Sequence, residues 1–296
     1  MIKNIDLQIK AELEKADLYK GGDLSYMKYN TPISGRGIGC KVILFVFDSN
    51  KKPIAIIKTV RNIRDINRIS DGYKNISLLN KLVQGSEFES MYPKAIGMHE
   101  DNLIKYTIET VCGGVKVSRE ADLKKAIDKY FSFSKYISSG LNEQILDKTY
   151  GEKLVSVLSG DNGDIEILKK YNEDLWSDIK VDIKSIYQHG DFTNDNILID
   201  NEKIKIVDCD TFGDIAIPGF DIYHITVRNK MKDSYELLSR YFVNVGIDYK
   251  IDKKLIFVYF LHELCIKKDY ILLNRKAEDL IKEFDNIIEL YYSQII

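Results

Sequence analysis

The sequence predicts an α+β fold in two lobes, an antiparallel five-stranded sheet lobe over 1–111 and a larger, mainly helical lobe over 112–296. Three observations lead there. Short β-branched runs separated by Gly and Asx turns fill the first third of the chain. Beyond Gly113-Gly114 the apolar period lengthens to that of helices. One polar hairpin, Tyr187 to Gly213, interrupts the helical part. At 296 residues, 45% apolar and 30% charged, the chain has the composition of an ordinary soluble protein with a sizeable core.

In order, Leu7 to Lys20 reads as a leading helix, broken by Gly21-Gly22. Strands follow over Tyr29–Ser34, Cys40–Phe47 and Ile54–Val60, the last two joined by the turn from Asp48 to Pro53. A helix is expected over Gly72–Leu82. Two more strands, Tyr92–Met98 and Leu103–Val111, enclose a turn at His99–Asn102 and complete the sheet. Helices are then expected over Ala121–Ser138, Leu141–Leu158, Asp164–Lys184, Asp221–Lys232, Ser234–Val245, Lys253–Lys267 and Lys276–Tyr292.

The hairpin carries the chemistry. Ile197–Ile199 and Ile204–Val207 are strand-forming runs around the turn Asp200-Asn201-Glu202-Lys203. Their pairing brings Asn196, ahead of the first strand, near Asp208, after the second. An amide oxygen and a carboxylate are hard donors of the kind magnesium takes together with phosphates and water. Asp191, five residues before Asn196, can reach a hydroxyl attacking a metal-bound phosphate. This H-x-D-x-x-x-x-N spacing from His189, followed by Asp208, is the arrangement of kinase-type phosphoryl transfer. His189 is expected to brace the loop, with Asp191 as the base. Asp210 completes a D-x-D pair on one face of the strand and is a possible helper at the metal. Asp195 reads as a solvated loop acid.

In the first lobe, Gly35, Gly37 and Gly39 lie between two strands, where backbone amides could approach a phosphate closely. Lys58 ends an apolar strand, where a cation either snorkels to solvent or points into a cleft.

The stretches "HGDFTNDN" and "IVDCD" resemble the catalytic and metal loops of the aminoglycoside phosphotransferase and choline kinase family. The resemblance implies a bilobal protein-kinase-like fold that moves the γ-phosphoryl group of ATP, with Mg2+, to a small-molecule hydroxyl; GTP stays open as the donor. It also implies that Lys58 contacts the α- and β-phosphates, that Thr110, Val111 and Cys112 form the hinge for the adenine edge, and that Asp221 braces the catalytic loop. One departure stands out. The family's helix Glu that pairs with the strand lysine falls at Asn75, with Asp71 or Glu87 as substitutes, or with nucleotide phosphate alone holding Lys58.

The 43 basic and 45 acidic residues give a net charge of −2, which supports no polyanion or membrane partner. Cys40, Cys112, Cys209 and Cys265 show no metal or disulfide spacing and read as reduced thiols. Without a signal core or a long apolar run, a cytoplasmic protein is expected. Two competing functions remain: a catalytically weak pseudokinase that binds nucleotide or a partner, and a D-x-D nucleotide-sugar glycosyltransferase. The latter leaves the upstream motif unexplained. The acceptor class, whether sugar, amino alcohol, nucleoside or antibiotic, has no motif, and the charge-mixed C-terminal helices do not point to a polycation.

Overall fold

The computed structural model describes residues 2–29, 41–60, 66–100, 104–138, 143–158, 166–176, 181–266 and 277–292. They form two compact units, one of Met1–Lys116 with Ile197–Phe212, the other of Val117–Asn196 with Gly213–Ile296. By contact, residues 112–116 and the hairpin strands therefore group with the N-terminal unit.

The first unit is built on the expected five-stranded antiparallel sheet. Strands β1 (Ser25–Tyr29), β2 (Lys41–Phe47), β3 (Pro53–Val60), β4 (Ala95–Glu100) and β5 (Lys105–Thr110) take the order β1-β2-β3-β5-β4. Alternation along β3 and β5 sends Ala55, Ile57, Tyr106 and Ile108 to one face. There they meet Ile9 and Leu13 of helix α1 (Ile2–Lys15). That stripe is why α1 starts earlier than Leu7: Ile5, Ile9 and Leu13 recur at helical spacing toward the sheet. The helix ends by Lys15 rather than Lys20, and Asp17 turns to a positive φ of 54°.

Helix α2 (Ile66–Val83) also begins ahead of its expected start and buries Ile69, Gly72, Ile76, Leu79 and Val83. His99 and Glu100, read from the sequence as a turn, belong to β4. Strand β1 meets the expected Tyr29–Ser34 only at Tyr29; residues 30–34 lie outside the described set.

The hairpin strands β9 (Ile197–Asp200) and β10 (Lys203–Ile206) pair with Ile197 opposite Ile206 and Asp200 opposite Lys203. The loop is thus two residues rather than four. Asn201 and Glu202 both take positive φ, 46° and 69°, the pattern whose twist matches antiparallel strands. A short strand β6 (Val115–Lys116) adds to β9 and makes a three-stranded sheet that the sequence did not announce.

The second unit is mainly helical. It contains α3 (Glu120–Ile137), α4 (Lys148–Leu158), α5 (Glu166–Trp176), α6 (Phe220–Arg228), α7 (Ser234–Val245), α8 (Lys253–Ile266) and α9 (Ala277–Tyr292). Ten consecutive residues of α8, Leu255–Leu264, are buried, so it is the central helix of the unit. Two expected helices were too long. Leu141–Leu158 opens with strand β7 (Glu143–Leu146), and Asp164–Lys184 closes with strand β8 (Val181–Lys184). The two pair antiparallel, Glu143 opposite Lys184. The alternation Val-Asp-Ile-Lys fits a period of two as well as a piece of helix, and pairing decides it.

Candidate active site

In the first unit the strand lysine enters a cluster of acids. Lys58 on β3 is 4% exposed. Its Nζ lies 3.0 Å from Glu109 Oε1, 2.7 Å from Asp210 Oδ1 and 3.3 Å from Asp208 Oδ1. Burial alone would disfavour the ammonium, but the carboxylates of Glu109, Asp208 and Asp210 reverse this and hold Lys58 well above the ordinary lysine range. Lys41, at the start of β2, reaches two of these acids, bonding to Asp210 and standing 3.5 Å from Asp208.

Asp208 and Asp210 do not lie on a strand as expected. Asp208 takes a left-handed conformation, φ 59°, and Cys209–Thr211 form a single 3-10 turn. The turn still points both carboxylates at Lys58. Asn75 of α2 donates from Nδ2 to the backbone oxygen of Asp210 at 2.8 Å. Gly72, one turn earlier, lets the helix come down on that residue: a Cβ there would sit 3.1 Å from Asp210 Cγ.

Neither sequence-suggested substitute takes the missing helix acid's place. Asp71 pairs with Lys74 at 3.1 Å, and the ion pairs of Lys58 among the described residues are with Glu109, Asp208 and Asp210. Sequence reasoning missed Glu109. The signal was the alternation Tyr106-Thr107-Ile108-Glu109, which puts the acid on the sheet face of Lys58, since Lys58 stands opposite Thr107.

Of the hinge residues, Thr110 is tied into the sheet. Its N–H donates to Lys94 O at 2.9 Å and its Oγ1 accepts from Lys94 N at 2.8 Å. Cys112 is half-buried, and burial pushes its thiol up to about 11. Cys112, Cys209 and Cys265 are free thiols. Gly35, Gly37 and Gly39, with Cys40, lie outside the described residues.

In the second unit the loop from His189 to Asn196 is held by its backbone. The segment leading into it bonds Ile186 N to Ala216 O at 2.8 Å and Gln188 N to Ile215 O at 3.0 Å. Asp221, wholly buried in the first turn of α6, accepts the N–H groups of His189 at 2.5 Å and Gly190 at 3.0 Å, and also the Tyr130 hydroxyl. Burial raises the Asp221 carboxyl to about 6 against these three donors. Gly219 caps α6 at φ 86° with α7 and α8 close against it: a Cβ there would lie 2.6 Å from Leu238 Cδ1 and 2.8 Å from the Tyr259 hydroxyl.

Tyr130 stacks on Phe192 with ring centroids 4.3 Å apart. His189 is buried, and its Nδ1 accepts the N–H of Asp191 at 3.4 Å. The Asn196 amide nitrogen donates to Asp191 twice, to its backbone O at 2.9 Å and to its Oδ2 at 2.8 Å. Two amide hydrogens are spent on one residue, which fixes the carboxylate and turns the amide oxygen the other way. Asn194 and Asn229 exchange amide bonds at 2.8 and 2.9 Å, tying the loop to the end of α6. Asp195 is exposed, 3.3 Å from Arg228.

No family model matches the sequence, and no curated protein matches it. Solved structures do. Choline kinase from Cryptosporidium parvum Iowa II aligns over 100% of this chain and 96% of its own, with TM-score 0.59 and 11% identity. An aminoglycoside phosphotransferase APH(4)-Ia, solved with ADP and hygromycin B, aligns over 94% and 98% with TM-score 0.58 and 12% identity. Aminoglycoside phosphotransferase APH(3'')-Id from Streptomyces rimosus aligns over 88% and 98% with TM-score 0.55 and 14% identity. The chain has their kinase-like fold. At such identities the likeness is one of fold, and the chemistry of this kinase-like chain has to come from its own residues. Among the described residues, no helix is long and apolar enough to cross a membrane.

Proposed function

We propose that the protein is a small-molecule kinase, transferring the γ-phosphoryl group of ATP, or of GTP, to a hydroxyl. The observation that carries this reading is the clasp of Asn196 on Asp191. It holds a carboxylate at one orientation in a half-buried loop, which suits a group that must orient and deprotonate an acceptor hydroxyl.

In this reading Asp191 is the base, while Asn196 and Asp208 hold magnesium. Both residues fit the ion. Asn196 precedes β9 with its amide nitrogen engaged elsewhere, which leaves the oxygen as its ligand atom. Asp208 follows β10 with a side chain 39% exposed. Among the described residues, no group of three or more His, Cys, Asp and Glu is placed to hold a metal unaided. Phosphate and water oxygens would complete the shell, as magnesium prefers. Bound there, magnesium would neutralise charge developing on the transferring phosphate. Lys58, with the backbone of Gly35 to Gly39, holds the phosphates. Val111 and Cys112 serve the base edge, and Thr110 helps fix the strand end. His189 and Asp221 brace the loop, and Asp210 supports Lys58 rather than the ion.

Because Lys58 has a buried carboxylate partner, the missing helix acid does not by itself favour a catalytically weak scaffold. The acceptor is a small hydroxylated molecule, its class open among sugars, amino alcohols, nucleosides and antibiotics. A panel of these, scored by acceptor-dependent ADP release, identifies it. Replacing Asp191 with Ala should lower kcat by roughly 10²- to 10⁴-fold and leave ATP affinity within about twofold. Lost ATP binding with kcat preserved would overturn the role. Turnover untouched in both Asp191→Ala and Asp208→Ala would overturn the reading.

A further inference from the structure

We infer that Glu109, on β5, is the positioning residue that seats Lys58 for the nucleotide, in the place where the resemblance expects a helix acid. The inference rests on the kinase reading above and names a residue that reading does not require.

Three facts converge on Glu109. Lys58 stands opposite Thr107 in the β3–β5 ladder, so Glu109, two residues on, shares its face and meets its Nζ at 3.0 Å. Glu109 is only 3% exposed, and a carboxylate so buried needs a cation or a proton. Helix α2 brings no charge to the lysine: it reaches the cluster through the neutral Asn75 amide and the bare backbone of Gly72.

The other two acids near Lys58 have further claims on them. Asp208 is the proposed magnesium ligand, and Asp210 is shared with Lys41. Glu109 alone sits within the sheet, on a strand hydrogen-bonded to that of the lysine. Glu109 therefore aims the Lys58 ammonium from within the sheet, whatever role Asp208 takes. The charged groups facing Lys58 are Glu109 from β5, Asp208 and Asp210 from the turn after β10, and Lys41 from β2. The Cys209 thiol is the further titratable neighbour, and burial holds it protonated.

The test uses Glu109→Gln and Glu109→Asp in the full chain, each first shown to unfold cooperatively. One readout needs no activity: acetylation of Lys58 by acetic anhydride at one fixed pH, quantified by mass spectrometry. Glu109→Gln should speed it at least tenfold, because the amine then loses the carboxylate that fixes it against β5, and Glu109→Asp should recover part of the protection.

The second readout is turnover of magnesium ATP without acceptor. Glu109→Gln should lower kcat/KM for ATP by at least tenfold, and Glu109→Asp should recover part of it. Lys58 labelling within twofold of wild type overturns the proposal. So does an unchanged kcat/KM once labelling has risen, since the carboxylate then serves burial alone. Failure of the kinase reading shows separately, as turnover insensitive to Asp191→Ala, and the labelling arm still decides the pair.

Discussion

The lysine cluster of the first unit and the catalytic-type loop of the second solve the same problem, fixing a charged group, by opposite means. Lys58 is held by side chains: three carboxylates surround it, and two of them also serve Lys41. The loop is held by main chain: one carboxylate, Asp221, receives two consecutive N–H groups and a phenol. A side-chain cluster can lose one acid and redistribute its charge. A backbone clamp cannot, because its partners have nowhere else to turn.

The sharpest way to break the comparison is to remove the cation. Lys58→Met leaves Glu109 buried beside Asp208 and Asp210 without its counter-charge. The expected loss is about 3–5 kcal/mol of unfolding free energy in urea titrations, and the double change with Glu109→Gln should return most of it. Equal stability of the single and double variants would mean that the pair is not coupled.

Next in size is the pH response of the clamp. Asp221 has its carboxyl at about 6 when folded against the ordinary 3.8, so the folded chain holds its proton more tightly. That contribution is complete below pH 3.8 and disappears as pH rises through 6, a change on the order of 3 kcal/mol. His262 works in the other direction. Burial pushes it down to about 4, so its share is present above 6.5 and is lost as pH falls through 4. Asp221→Asn should therefore expose the His262 slope: from pH 4 to 7 the variant gains stability relative to wild type, read as urea midpoints at each pH. Parallel profiles would contradict the assignment.

The smallest effect tests the edge of the loop. Asn229→Ala removes the reciprocal pair with Asn194 and a bond to Ile225 O at 2.7 Å. It should cost about 1 kcal/mol and, by loosening the loop end, lower kcat severalfold while ATP affinity stays put.

What was legible in the sequence tracks where the chemistry is local. The hairpin strands, most strands of the five-stranded sheet and the Asp191–Asn196 spacing could be read within a few residues of themselves. Glu109 could not, because its meaning depends on the register of β3 against β5, which links positions about fifty residues apart. The strands β7 and β8 were hidden for the same reason: each is only four residues long and becomes a strand by finding the other. The D-x-D pair was expected on one face of a strand and stands on a turn instead, since the left-handed Asp208 leaves no trace in composition.

Lys58 and Glu109 lie on hydrogen-bonded strands, so their spacing is set by the ladder and does not depend on where helix α2 stands. Displacing α2 would break the Asn75 bond to Asp210, the bonds of Ser70 to Lys105 and of Asn80 to Pro93 and Ala95, and the packing of its apolar stripe, but not the ladder that sets the spacing of Lys58 and Glu109.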